Sequence, residues 1–282
     1  IELDDSVGPG LLERLVISNY LAGYNVIKIV SKDRPLSLAQ REMVRNGIRK
    51  LIGLELVEET SRELVFQVLL EYSDLPIDKV IRRIHVRTLS MQSDAFNALK
   101  NRDLDMAKGV IDRDNEVDRL YLLAVKQLKD AVRNIYLRRR MHVSPRDCLG
   151  YRVVVKSLER IADHSVNIAV NAVKLVKENI VVPEEILEVL ERANELATNV
   201  HKRSVHSLFK RDVKMADECI EEARGVWELE ENLVKRIFEL NLPLNGALYT
   251  KSVMESIKRI AGYGADIAEI AINLGVGEPE WK

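Results

Sequence analysis

From about residue 77 almost to the end of the chain, apolar residues recur at three- and four-residue spacing, the period of a helix face packed on one side. The spacing predicts six long helices, over residues 78–100, 103–139, 145–178, 183–210, 213–240 and 245–274. Their ends carry the expected punctuation: Asp103 can cap the second, Ser144 followed by Pro145 supplies an N-cap with proline at the first helical position, and Pro183 and Pro243 open two others. Connections this short imply antiparallel neighbours. Before residue 76 the period is mixed. A short helix over 11–20, an apolar strand over 26–30 and a helix opening at Ser37, with Gln40 completing a capping box, precede two alternating runs, 54–59 and 63–70. These runs flank Thr60-Ser61-Arg62 and read as a hairpin.

The fold class predicted is therefore mainly α: two tandem three-helix-bundle repeats preceded by a small α+β module. The module spans 1–75 and the repeats 76–180 and 181–282. Internal similarity supports the duplication. Asp105-Met106-Ala107 with Ile111 lines up with Lys214-Met215-Ala216 and Ile220, and Glu159-Arg160-Ile161-Ala162 lines up with Lys258-Arg259-Ile260-Ala261.

The chain has 282 residues, enough for about two domains of ordinary size. Lys and Arg (43) nearly cancel Asp and Glu (44), so no global basic field marks it as a nucleic-acid binder. Cys148 and Cys219 have neither metal-binding nor framework spacing, which fits reduced thiols in a cytoplasmic protein. No apolar run approaches the ~18 residues that read as a membrane span, and the first residues resemble no signal peptide. The expectation is a cytoplasmic protein without membrane insertion. A chain opening on Ile1 rather than Met also reads as a mature or truncated form.

Candidate chemistry lies on two helices. Glu159, Asp163, Asn167 and Asn171 form one row at four-residue spacing, and Asp114 and Asp118 repeat that spacing on the preceding helix. Like charges one turn apart cost a helix roughly 0.2–0.5 kcal/mol, so such pairs call for a cation. If the helices are antiparallel neighbours, four carboxylates could converge as hard oxygen donors for a divalent or trivalent metal such as Mg, Mn or Fe. The same spacing also describes two solvated faces on charged helices. Asp114 and Asp118 share a stripe with Ile111, Tyr121, Val125 and Leu128, which puts them along a packing face where a charge needs a partner. The carboxylates do not survive the duplication: Asp114 and Asp118 map to Ala223 and Trp227, Glu159 and Asp163 to Lys258 and Gly262, and only Asn167 keeps a ligand-capable counterpart, Asp266. One repeat could bind metal and the other should not.

His164 reads either as a ligand to that cluster or as a partly exposed polar residue. The other histidines, His85, His142, His201 and His206, show no zinc-enzyme spacing. Arg138-Arg139-Arg140 at a helix end can serve the helix dipole or bind an anion such as phosphate, phospholipid head groups or nucleic acid. No phosphate-cradling glycine loop or nucleophile elbow is present, and no catalytic machinery is evident. A metal-dependent hydrolase would need an open coordination position and a positioned acid or base, which helix-surface carboxylates do not supply by themselves.

The segment Leu158-Glu159-Arg160-Ile161-Ala162-Asp163-His164-Ser165-Val166-Asn167-Ile168-Ala169 closely resembles the PhoU signature, and Asp114-Asn115-Glu116-Val117-Asp118 resembles that family's other acidic helix motif. The resemblance runs over about residues 77–274. It implies a non-enzymatic regulator of phosphate uptake and homeostasis, a homodimer working with a phosphate ABC transporter ATPase or a sensor kinase. It also implies one metal site (Fe, Mn, Mg or Zn) in the first repeat, held by Asp114, Asp118, Glu159 and Asp163 with Asn167 beside them. Residues 15–24 and 51–55 resemble the linker module of archaeal PhoU-like regulators, in which a DNA-binding hairpin often comes first. The alternative reading is accordingly the effector part of a transcriptional regulator, reaching DNA only through an N-terminal domain missing from this chain.

Overall fold

A computed structural model of the chain describes residues 1–3, 7–32, 34–70, 72 and 75–277. The last residues assigned to the second repeat, 278–282, lie outside them. The described elements run β1 (Glu2–Leu3), α1 (Pro9–Ala22), β2 (Val26–Ser31), α2 (Leu38–Arg49), β3 (Leu54–Glu59), β4 (Glu63–Val68), α3 (Ile77–Asn101), α4 (Leu104–Arg133), α5 (Ile135–Arg140), α6 (Pro145–Lys177), α7 (Glu184–Lys210), α8 (Val213–Glu239) and α9 (Leu244–Gly275). The architecture is mainly helical, as the periodicity predicts, behind a small α+β module.

The module is a four-stranded sheet in the order β1-β2-β4-β3, with β1 parallel to β2 and the other pairs antiparallel. Alternation places Ile27 and Ile29 of β2 and Leu64 and Phe66 of β4 inward, where they meet Leu12, Val16 and Tyr20 of α1 and Val44 of α2. The capping box at Ser37 forms in full: Gln40 N donates to Ser37 Oγ, and Ser37 N donates to Gln40 Oε1. The short helix expected over 11–20 is longer, because Pro9 can open it and Gly23, at φ 94°, closes it in the left-handed region. The pair β1 was not foreseen; two residues joined through backbone bonds to Val30 and Ser31 carry no periodic signal.

One predicted helix is broken. The continuous run over 103–139 stops at Arg133, because the side chain of Asn134 accepts hydrogen bonds from the amides of Tyr136 and Leu137 and caps a new helix, α5. Asp103 caps α4 as expected, accepting from the amides of Asp105 and Met106.

The chain divides into two compact units, one made of Ile1–Arg82 and Asp118–Arg152, the other of Arg83–Val117 and Val153–Lys282. In the first, the module meets α4 around an ion pair made within that helix. Lys126 is 1% exposed, lies 3.2 Å from Asp130 Oδ2, and holds its ammonium 5.2 Å from the ring centre of Tyr20. Tyr72 donates its hydroxyl to the same Asp130 oxygen at 2.5 Å, Tyr20 donates to the carbonyl of Ile52, and Gln127 donates to the carbonyl of Leu75. Burial and the Asp130 carboxylate push both phenols well above their ordinary range, so both stay protonated and keep a hydrogen to donate. Gly23 has no room for a side chain: a Cβ there would come within 2.6 Å of Asp130 Oδ1.

In the second unit α7, α8 and α9 pack pairwise, burying Leu190, Ala197 and Val200 of α7, Ala216, Ala223 and Val226 of α8 and Ile257, Ile260 and Ile267 of α9. Gly264 lets α9 approach closely, since a Cβ there would meet Val200 Cγ1 at 2.8 Å and the His201 amide at 3.3 Å. Among the described residues, no helix is long and apolar enough to cross a membrane.

Removing one member of a buried ion pair strands the other charge. Lys126→Ala is expected to lower stability by about 3 kcal/mol in urea denaturation, and Asp130→Asn in the same chain should return part of that loss. A cost below that of an ordinary surface change would mean the pair does not hold the module.

Candidate functional site

The sequence-predicted metal residues occupy defined but dissimilar environments. Asp114 and Asp118 stand one turn apart on α4, both half-buried, beside the buried Val117, Val125 and Leu128. Glu159 is buried on α6, with both carboxylate oxygens held by Lys156 Nζ at 2.6 and 2.7 Å. Asp163 accepts from Arg160 Nη1 at 3.1 Å, and Arg160 Nε lies 3.8 Å from Glu159. The repulsion between Glu159 and Asp163 is thus relieved by cations of their own helix, three residues before Glu159 and three before Asp163. Among the described residues, no group of three or more His, Cys, Asp or Glu side chains is placed to hold a metal ion. As arranged, Glu159 and Asp163 form an ion-paired face of α6.

Asn167, read from sequence as a neighbour of the metal, points its amide at α9 instead. Nδ2 donates to Ser256 Oγ at 2.7 Å and Ser252 Oγ at 3.2 Å, and Asn171 Nδ2 donates to Ser252 Oγ at 3.1 Å. His164 follows the polar reading: it is half-buried, its ring lies 5.8 Å from that of Tyr263, and burial with Arg259 nearby holds its pKa below the usual histidine range.

In the second repeat the equivalent positions have reversed polarity. Where Lys156 pairs with Glu159, the counterpart residues are Glu255 and Lys258, 2.9 Å apart at the same three-residue spacing. Lys258 also reaches Glu230 at 2.8 Å, and these bonds hold the Glu230 and Glu255 carboxyls below their ordinary range against the opposing effect of burial. Trp227, Lys258, Gly262 and Asp266, with Glu255, Arg259 and Tyr263, line a cavity of about 370 Å³. Its lining sets the carboxylates of Glu255 and Asp266 among the cations of Lys258 and Arg259, beside the exposed indole of Trp227.

Periodicity did not reveal a buried polar layer between α3 and α7, the first helices of the two repeats. Gln92 Nε2 donates to Thr198 Oγ1 at 2.9 Å and lies 3.3 Å from Asn194 Oδ1, which turns its Oε1 toward His201 Nδ1 at 3.2 Å. With Nδ1 the donor, His201 Nε2 is left as an acceptor for His85 Nδ1 at 3.2 Å, while Thr88 Oγ1, which donates to the His85 carbonyl, lies 3.3 Å from it. His201 is fully buried, and burial, then the neighbouring His85, hold its pKa well below the usual value, so the ring is neutral. The duplication could have exposed this layer: the register that sets Ile111 on Ile220 also sets Gln92 on His201 and His85 on Asn194. The His85 to His201 contact and the Gln92 to Asn194 contact are therefore the same contact seen from the two repeats.

Fold and site together define a tandem three-helix-repeat protein whose buried polar groups pair across helices. The family model described as the PhoU domain matches it twice, over residues 81–172 and 190–271. The chain belongs to the PhoU family. It is 29% identical over 188 residues to a phosphate-specific transport system accessory protein PhoU homolog of Aquifex aeolicus, covering 65% of this chain and 82% of that protein. Its fold is similar to the crystal structure of PhoU from Pseudomonas aeruginosa (TM-score 0.61, 17% identity, 70% of this chain and 94% of that one). It is also similar to that of the phosphate transport system regulatory protein PhoU from Streptococcus pneumoniae (TM-score 0.62, 21% identity, 72% and 94%).

The neutral His201 sets a pH dependence. Above about pH 6.5 the ring is uncharged in both folded and unfolded chains. As pH falls below that value the unfolded chain takes up a proton that the folded chain refuses, so stability is lost with falling pH until the lower folded pKa is reached. Chemical denaturation of the parent and of His201→Gln across this range isolates the effect. The parent's advantage is expected to shrink as the solution is acidified; an advantage that stays constant would mean His201 is protonated equally in both states.

Proposed function

We propose that this chain regulates phosphate uptake as a non-enzymatic helical scaffold, acting on the ATPase of a phosphate ABC transporter or on a sensor kinase coupled to it. The observation that carries this reading is the presence of two PhoU domains in tandem. The Aquifex aeolicus relative, described as an accessory protein of phosphate-specific transport, supports it. A scaffold of this kind needs a rigid surface more than a reactive centre, and the paired repeats supply one. Deleting the gene in the organism that encodes the chain is expected to uncouple phosphate uptake from the phosphate supply; unchanged uptake under both rich and poor supply would refute the reading.

Metal enters this proposal conditionally. Asp114, Asp118, Glu159 and Asp163 are the residues that would take a divalent or trivalent ion, and its charge would do what Lys156 and Arg160 do now. Metal and these two side chains therefore compete for the same oxygens. Removing the competing cations in a Lys156→Ala/Arg160→Ala chain is expected to raise affinity for Mn or Fe in equilibrium dialysis with elemental analysis. Glu159→Ala/Asp163→Ala should abolish any binding found in the parent. A parent that holds no metal, with a Lys156→Ala/Arg160→Ala chain that holds none either, would leave the ion pairs as the whole role of this face.

A further inference from the structure

We infer that the end of the first repeat's α4 to α6 hairpin is a docking surface for an anionic lipid bilayer. All of the residues involved lie in the first compact unit, and the inference does not rest on the phosphate reading. The helix α5, Ile135–Arg140, buries none of its residues. Its apolar side is open, with Ile135 46% and Tyr136 80% exposed, and Val132 just before it and Leu149 in the first turns of α6 are exposed as well. Its last turn is Arg138-Arg139-Arg140.

The sequence left this run with two readings, a structural one at the helix end and an anion-binding one. A helix of six residues has a weak dipole, and three arginines exceed what it can use. The neighbourhood of Arg138 and Arg139 does not neutralise those two. Between Lys129 and Arg152 the acidic residues are Asp130 and Asp147. Asp130 is held by Lys126 and Tyr72, and Asp147 accepts from the amide of Ser144 at 2.8 Å in the cap of α6. Among the described residues no carboxylate pairs with Arg138 or Arg139. Arg138 lies close enough to the start of α6 to oppose the upward push of burial on the Cys148 thiol, which brings the basic turn beside the segment carrying Leu149.

Basic side chains interleaved with exposed aliphatic and tyrosyl ones are the composition of an interfacial segment, in which cations meet head groups and apolar groups enter the acyl boundary. A nucleic acid would use the arginines and Tyr136 but has nothing to place against Val132, Ile135 and Leu149. The equivalent hairpin end of the second repeat is apolar too, with Phe238 and Leu244 exposed, but lacks the basic run: Arg236 there is paired with Glu239 at 3.2 Å. Since no described helix can span a bilayer, the attachment is peripheral.

Co-sedimentation of the full chain with vesicles tests this. The chain is expected to sediment with vesicles of phosphatidylcholine mixed with phosphatidylglycerol and to stay in solution with phosphatidylcholine alone, with binding that falls as salt is raised. Each of Arg138→Ala and Arg139→Ala should weaken partitioning about fivefold. A Tyr136→Trp chain should show a blue-shifted emission only with the anionic vesicles. None of these positions is buried, so circular dichroism should find all the variants folded. Equal binding to neutral vesicles, no binding at low salt, indifference to both arginine substitutions, or tighter retention of the chain by duplex DNA through the same arginines would each overturn the inference.

Discussion

The contact of Gln92 with His201 fixes how the two repeats of this protein meet. Each repeat is a three-helix unit with an apolar face, and apolar faces alone slide: leucine against alanine offers little penalty for a shift by one turn. A buried amide and imidazole do not tolerate such a shift, because each polar atom left without its partner would cost about 1–3 kcal/mol. In this layer the Gln92 amide nitrogen, the Thr198 hydroxyl and both ring nitrogens of His201 are bonded at one register of α3 against α7. Asn167 and Asn171 repeat the device between α6 and α9 through Ser252 and Ser256.

Divergence of the repeats is clearest on the outer helix faces. Lys156 with Glu159 in one repeat and Glu255 with Lys258 in the other keep the same spacing with opposite sign. Partly exposed pairs of this kind contribute at most about 1 kcal/mol, so polarity there was free to invert without cost to the fold. What the inversion changes is the surface field. One repeat keeps carboxylates at four helical positions. Its counterpart has a mixed-charge hollow carrying an exposed tryptophan. A partner reading both repeats therefore meets two different surfaces on one duplicated frame.

The N-terminal module is held by a different economy. A lysine that is 1% exposed is tolerated because the Asp130 carboxylate and the Tyr20 ring lie beside it, with Tyr72 donating to that carboxylate. Gly23 is part of the same arrangement, since any side chain there would collide with Asp130. Loss of a single member thus reaches the whole joint, unlike the outer pairs of the repeats.

Periodicity and local capping are properties of neighbouring residues, and the sequence by itself determined what depends on them: the helices of both repeats, the caps at Ser37, Asp103 and Ser144, the alternation of β2 and β4, the duplication, and the resemblance that places the chain in its family. One local feature was misread, the stop at Asn134, and the two-residue strand β1 gave no signal to read, because a mid-pattern cap and a backbone-only pairing interrupt no hydrophobic period. Tertiary structure alone decided which polar groups are partners. Lys126 looks like any helix lysine until Tyr20, more than one hundred positions earlier, is packed over it. His201 and Gln92 are equally ordinary until α3 meets α7. Glu159 and Asp163 have the spacing of a ligand pair, but Lys156 and Arg160 reach them first. Spacing fixes where a charge stands on its helix, whereas its partner is whichever group the folded chain brings within about 3 Å.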